Sequence, residues 1–192
     1  MNPLDPIFRR RDALAALAGL GLVDTALAAD DSATYDEAEM FKEASAFFGK
    51  SVEGLAKVIE KVFKEKGRPN GYIEGEEASA ALGVGLRYGE GRLKLKSGGS
   101  AKVYWAGPSV GIDAGANASK VFTLVYDLPK VADIYQRFPG VEGSLYWIGG
   151  VGVNYQNIDG ITLAPIRLGV GLRSGASVGY LHYRDKKSWN PL

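Results

Sequence analysis

The chain has 192 residues, with 23 Lys+Arg against 22 Asp+Glu and a formal net charge of +1, so nothing in its bulk charge draws it to nucleic acid or an anionic membrane. It has no cysteine, which excludes disulfides, zinc–thiolate sites, thiol nucleophiles and a lipidated cysteine. Glycine is abundant at 26, roughly twice its ordinary share, and ten Tyr and seven Phe complete a β-rich composition.

Residues 1–28 read as an export signal. Arg9-Arg10-Arg11 precede a short apolar run from Ala13 to Val23, and Ala26-Leu27-Ala28 is a small-x-small cleavage pattern. Cleavage is expected after Ala28. The apolar run falls short of the about 20 residues a spanning helix needs. Arg10-Arg11 ahead of Asp12 and an apolar run also resembles a twin-arginine signal. Residues 29–35 read as a disordered mature N-terminus, 36–185 as one folded domain and 186–192 as a polar tail.

Two helices open the domain. Asp36 with Glu39 three residues on forms a capping-box pattern, Met40, Phe41, Ala44, Phe47 and Phe48 share a face, and Gly49 ends the helix. A second helix from near Ser51 carries Leu55, Ile59, Val62 and Phe63 on one stripe and stops at Gly67 and Pro69. That stripe is expected to pack on the domain's own sheet.

From Gly71 the period changes to two. The pattern predicts strands at Tyr72–Ile73, Ala80–Tyr88, Arg92–Lys96, Lys102–Trp105, Val110–Asp113, Val121–Tyr126, Gly143–Tyr155, Ile161–Gly171 and Ser177–Tyr183. Ser97–Ser100 reads as a hairpin turn, 129–138 as a short helix, Pro139-Gly140 as a turn and Gly149-Gly150 as a bend. Glycine recurs on one side of these strands, as in Leu82-Gly83-Val84-Gly85-Leu86 and Gly150-Val151-Gly152-Val153. Glycine weakens an ordinary strand, so its regular use implies strong curvature or close backbone approach. The expected fold is mainly β: a small closed β-barrel of about eight strands with two N-terminal helices packed on it.

Chemistry-bearing motifs are sparse. His182 is alone, and a metal site needs several ligands. Gly83-Val84-Gly85 lacks the strand–turn–helix context of a dinucleotide loop. No cofactor, metal or catalytic residue is expected. Arg87, Glu90, Asp113, Lys120, Arg137, Arg167 and Arg173 interrupt apolar patterns and are the candidate ligand-binding residues, suited to an anionic group at the barrel mouth. Arg92, Lys94, Lys96 and Lys102 form a local basic cluster around the hairpin, read as a solvated outer face. An enzyme reading would need a carboxylate pair such as Glu90 and Glu142.

Several motifs then resemble a known family. They are Phe47-Phe48-Gly49, Gly67-Arg68-Pro69-Asn70, Gly85-Leu86-Arg87-Tyr88-Gly89-Glu90-Gly91, Val103-Tyr104-Trp105, Gly107-Pro108-Ser109-Val110-Gly111, Leu124-Val125-Tyr126, Arg137-Phe138-Pro139-Gly140-Val141-Glu142-Gly143-Ser144 and Ala164-Pro165-Ile166-Arg167. In colinear order from Phe47 to Tyr183 they resemble the domain of unknown function 1134 family, the envelope integrity proteins of alphaproteobacteria, with departures at Ala106 and Ser177. The resemblance implies an exported periplasmic β-barrel that maintains the cell envelope and has no known catalysis. Tyr88 to Leu93, the Gly-Pro-Ser segment and the Leu-Val-Tyr strand are more weakly similar to the SYLF lipid-binding domain. The expected role is binding of an envelope lipid, lipopolysaccharide or peptidoglycan component. The alternatives are a periplasmic protein-interaction module and an envelope glycan or lipid enzyme.

Overall fold

The computed structural model describes residues 33–49, 53–113, 119–168 and 179–188. The expected signal peptide, Arg173 and the last four residues of the tail lie outside the described residues. Helix α1 spans Glu37–Phe48. Its capping box is reciprocal: Glu39 N–H donates to Asp36 Oδ1 at 2.8 Å and Asp36 N–H to Glu39 Oε2 at 2.9 Å. Helix α2 spans Glu53–Lys66.

Strand β1 runs unbroken over Gly71–Leu95 and β2 over Ser100–Asp113. These are followed by β3 Ser119–Tyr126, a single 3₁₀ turn at Val131–Ile134 and β4 Arg137–Pro139. Then come β5 Tyr146–Ile148, β6 Val151–Val153, β7 Gln156–Ile158, β8 Ile161–Leu168 and β9 Tyr180–Arg184. The described strands form one antiparallel sheet in the order β4-β9-β2-β1-β3-β8-β6-β5, with β7 also on β8.

A straight strand of β1's length would reach about 80 Å. Instead its two ends meet: Lys96 N–H donates to the Asn70 carbonyl at 3.0 Å. The N-terminal half of β1 pairs with β3 and the C-terminal half with β2, so the curl of the sheet passes through this one strand. Glycines make the fold-back possible. A Cβ on Gly75 would lie 2.7 Å from the Glu90 carbonyl, and one on Gly91 would lie 2.5 Å from the Glu74 carbonyl. Only bare backbone fits between the two layers there.

The sheet curls until its β4 edge reaches β7. Gly140 forms an isolated bridge with Gln156, and Val141 N–H donates to the Tyr155 carbonyl at 2.9 Å. One bridge closes the curl there in place of a full ladder. At the apolar end, Asn70 Nδ2 donates to the Leu128 carbonyl at 2.8 Å and Leu128 N–H returns to Asn70 Oδ1 at 3.2 Å.

Strand alternation separates two cores. Ile73, Leu93, Val103, Trp105, Val125, Leu163, Leu181 and Tyr183 fill the inside of the curl. Tyr72, Phe122, Leu124, Ala164 and Ile166 face the other way, against Met40, Phe48, Leu55 and Ile59 of the helices. The helices contact β3, β5 and β6. They therefore cover the outer side of one half of the sheet, and among the described residues no helix packs on the outer side of β2 or β9.

The expected mainly β, helix-capped barrel is present. Its strand boundaries differ. Five separate strands were expected in 72–96 and 102–113, and they join into β1 and β2, because glycines such as Gly75, Gly89 and Gly91 sit at close contacts and interrupt nothing. The expected strand Gly143–Tyr155 divides into β5 and β6 at Gly149-Gly150, whose φ values of 55° and 79° form a two-residue hairpin turn. Arg137–Pro139 is a strand where a helix end and turn were expected; its partner β9 lies far away in sequence.

Gly91→Ala is expected to destabilise the fold by about 1–3 kcal/mol through overpacking, a drop in melting temperature of roughly 3–10 °C. A thermal melt matching the parent protein would contradict the crossing described here.

Candidate functional site

The inner row of the curl turns polar at one end. Glu77, at the end of β1's N-terminal half, is only 4% exposed, and Arg87 and Arg167 are 4% and 6% exposed. Buried charges persist only when paired and hydrogen-bonded. Arg167 donates from Nε to Glu77 Oε1 at 3.0 Å and from Nη2 to Oε2 at 3.1 Å, a bidentate pair. Arg87 Nε lies 3.3 Å from Glu77 Oε1. Trp105 Nε1 donates to Glu77 Oε2 at 3.0 Å, and Arg167 Nη1 donates to Asn154 Oδ1 at 3.0 Å. Gly89 allows the indole to reach this point, because a side chain there would collide with the Trp105 ring.

Burial acts most strongly on Glu77 and opposes its ionisation. The charges of Arg167 and Arg87 and the hydrogen bonds from Arg167 and Trp105 overcome it and hold the carboxyl at about 2, below its ordinary 4.5. Tyr183, its ring tilted 34° to that of Trp105 at 5.7 Å, has the pKa of its hydroxyl pushed up by burial.

A cavity of about 340 Å³ opens beside this cluster. Glu76, Glu77, Tyr88 and Glu90 line it from β1, Tyr104, Trp105 and Ala106 from β2, and Arg184, Lys186, Lys187 and Ser188 from the end of β9 and beyond. The volume falls in the range of small-molecule sites. Its lining combines aromatic rings with carboxylates on one side and cations on the other.

The envelope integrity protein A family model matches residues 33–192. The chain belongs to that family. Membership carries an envelope-related role. A crystal structure of a beta-barrel-like, uncharacterized protein from Brucella abortus is similar at 45% identity and a TM-score of 0.76, over 83% of this chain and 99% of that one. No curated protein matches. Among the described residues no helix is long and apolar enough to cross a membrane, which says nothing of strands.

Within this envelope integrity protein A fold, the candidate residues separate. Arg87 and Arg167 come together on Glu77. Glu90 lines the cavity with its carboxylate 3.9 Å from Lys102 Nζ. Lys120 leaves the site: its Nζ donates to the Phe47 carbonyl at 2.7 Å and straps β3 to α1. Arg137 lies over the Tyr180 ring at 5.1 Å, away from the cavity lining. Asp113 pairs through its backbone with Ala81 at the end of β2, and Arg173 lies outside the described residues. Glu142 does not line the cavity that Glu90 lines. Of the basic cluster, Lys94 pairs with Glu74 at 2.9 Å and Lys96 with Glu39. Among the described residues no group of His, Asp and Glu could hold a metal.

Sequence reasoning missed Glu77, Trp105, Asn154 and the tail lysines. Glu77 sits in Glu74-Gly-Glu-Glu77, a run that reads as solvated. Alternation from Ile73 through Gly75 was the available signal, since it places Glu77 on the inner face.

Glu77→Gln leaves two buried guanidinium groups without their anion and is expected to cost about 3–5 kcal/mol at neutral pH. Because the folded-state value is depressed, the pair's contribution is present above pH 4.5 and is lost as pH falls toward 2. Chemical denaturation across that window should show a shallower decline for the variant than for the parent; parallel curves would contradict the assignment.

Proposed function

We propose that this protein is a non-catalytic, exported barrel of the periplasm that supports envelope integrity by binding an envelope component in the cavity beside Glu77. The component is drawn from envelope lipid, lipopolysaccharide or peptidoglycan. One observation carries the reading: a cavity of ligand size stands directly on a buried, ion-paired floor. Binding sites gain affinity from walls that are already ordered. The family's envelope role supports the same reading, as does the signal-like leader.

Catalysis is left out for a chemical reason. Glu77 is ionised and saturated by Arg167, Arg87 and Trp105, so it has no proton to give and little basicity to offer. Of the pair named in the enzyme reading, Glu90 lines this cavity and Glu142 does not; the other carboxylates in its lining are Glu76 and the ion-paired Glu77.

A second reading rests on Val141 and Leu145, exposed in the segment between β4 and β5. A protein partner would cover them. Val141→Asp with Leu145→Asp then weakens envelope function in cells and leaves ligand-induced stabilisation intact.

The test is a melting-temperature screen of the exported chain against short-chain phospholipids, lipopolysaccharide fragments and muropeptides. One class is expected to raise the melting temperature in a concentration-dependent way, and Tyr104→Ala is expected to abolish that rise without unfolding the protein. No response to any class would contradict the proposal. Protein recovered from the periplasm is expected to begin at Ala29; an uncleaved chain retained in the cytoplasm would contradict the export claim.

A further inference from the structure

The cavity has an internal order that identifies its ligand more closely. Three strands run side by side through it, β1, β2 and β9. The register aligns Glu90 with Tyr104 and Tyr104 with Arg184. The next aligned set is Tyr88, Ala106 and His182, and the one after it is Leu86 with Pro108. Alternate residues of a strand share a face, so these sets lie one behind another on one surface. That surface is the outer side, and among the described residues no helix packs on its β2 and β9 strands.

The first set is a carboxylate, a phenol ring and a guanidinium. Glu76 adds to the acidic side of the cavity, and Lys186 and Lys187 add to the basic side. Strands stand about 4.8 Å apart, so the two charged positions are separated by about 10 Å at the backbone with a ring between them. A purely anionic ligand would press against Glu76 and Glu90. A neutral sugar has no need of opposed charges. A ligand with an ammonium and a phosphate uses every wall: the ammonium takes the place that Lys102 Nζ holds, 3.9 Å from the Glu90 carboxylate and 5.1 Å over the Tyr104 ring, and the phosphate meets Lys186, Lys187 and Arg184, whose guanidinium also reaches His182 Nδ1.

Polarity then falls away along the surface. The set behind the charged one is aromatic and small, with Ala106 leaving room between Tyr88 and His182. The next is apolar, and Leu86 is 40% exposed. Leu86 is thus a large apolar side chain in the open, about 13 Å from the charged set along the strand. The register continues through Val84 with Val110 and Leu82 with Ile112.

We propose that the cavity holds the headgroup of a zwitterionic aminophospholipid, with the hydrocarbon leading away over Leu86 and Pro108. This rests on the binding role argued above and names the ligand of that same site. The chain supplies affinity by covering Leu86, and the opposed charges supply choice of headgroup.

Calorimetry on the exported chain tests it with three probes below any micelle-forming concentration: dihexanoylphosphatidylethanolamine, dihexanoylphosphatidylglycerol and phosphoethanolamine. The first is expected to bind about tenfold or more tighter than either other probe: phosphoethanolamine lacks the methylenes whose burial is worth that factor, and phosphatidylglycerol lacks the ammonium that the carboxylates would pair with. Leu86→Asp is expected to remove about tenfold of the phosphatidylethanolamine affinity while leaving the melting temperature of the unliganded protein unchanged. Glu90→Gln is expected to shrink the preference over phosphatidylglycerol. Equal binding of the two lipids, no effect of Leu86→Asp, or binding to intact vesicles but not to monomeric lipid would overturn the inference. Muropeptide or lipopolysaccharide binding without lipid binding would overturn it while the envelope-component role stands. No binding of any probe would overturn both.

Discussion

One buried carboxylate organises this molecule. Glu77 is held by Arg167 from β8, Arg87 from the far half of its own strand and Trp105 from β2. Arg167 extends the network to Asn154, just after β6. Three side chains from separate stretches of the chain therefore converge on two oxygen atoms. Removing these charges from water is costly, and a buried ion pair adds little net stability over an apolar substitute. Its physical effect is discrimination: any register slip in β1, β2 or β8 would strand a charge in the interior.

The glycine pattern and the ion cluster are two parts of one solution. A strand folded back on itself leaves no room for side chains at the crossing, and Gly75 and Gly91 meet that demand. Beyond the crossing the layers must be held without apolar bulk. The Glu77 cluster does so with directional contacts. At the opposite end Asn70 does the same through paired bonds with Leu128, and between them lies the inner apolar core. The helices seal the outer side of β3, β5 and β6 and leave β2 and β9 clear. Among the described residues, the outer face of β2 and β9 therefore backs onto the interior that the Glu77 cluster ties together, which suits a binding surface.

Much of this was legible in the chain. The capping box at Asp36 and Glu39, the apolar stripe of α2 and the period of two after Gly71 are local signals, and each element appeared. Alternating glycine correctly implied curvature and close approach. Strand limits failed where glycine acted at long range: Gly89 and Gly91 look like interruptions until Trp105 and Glu74 are seen beside them. Arg137–Pro139 became a strand because β9, over forty residues later, offers it a ladder. The candidate site divided along the same line. Arg87 and Arg167 stood out as charges within apolar strands and are the buried pair. Glu77 did not, because its neighbours Glu74 and Glu76 make it look solvated. Lys120 and Arg137 carry the same charge as the buried pair but are engaged by Phe47 and Tyr180.

A double-mutant cycle on Glu77→Gln and Arg167→Met, read by denaturant unfolding, tests most directly the claim that this carboxylate holds the curl together. The account predicts strong coupling: each single change strands the other partner, and the double variant recovers about 2–3 kcal/mol relative to the sum of the two. Simple additivity of the two losses would contradict it.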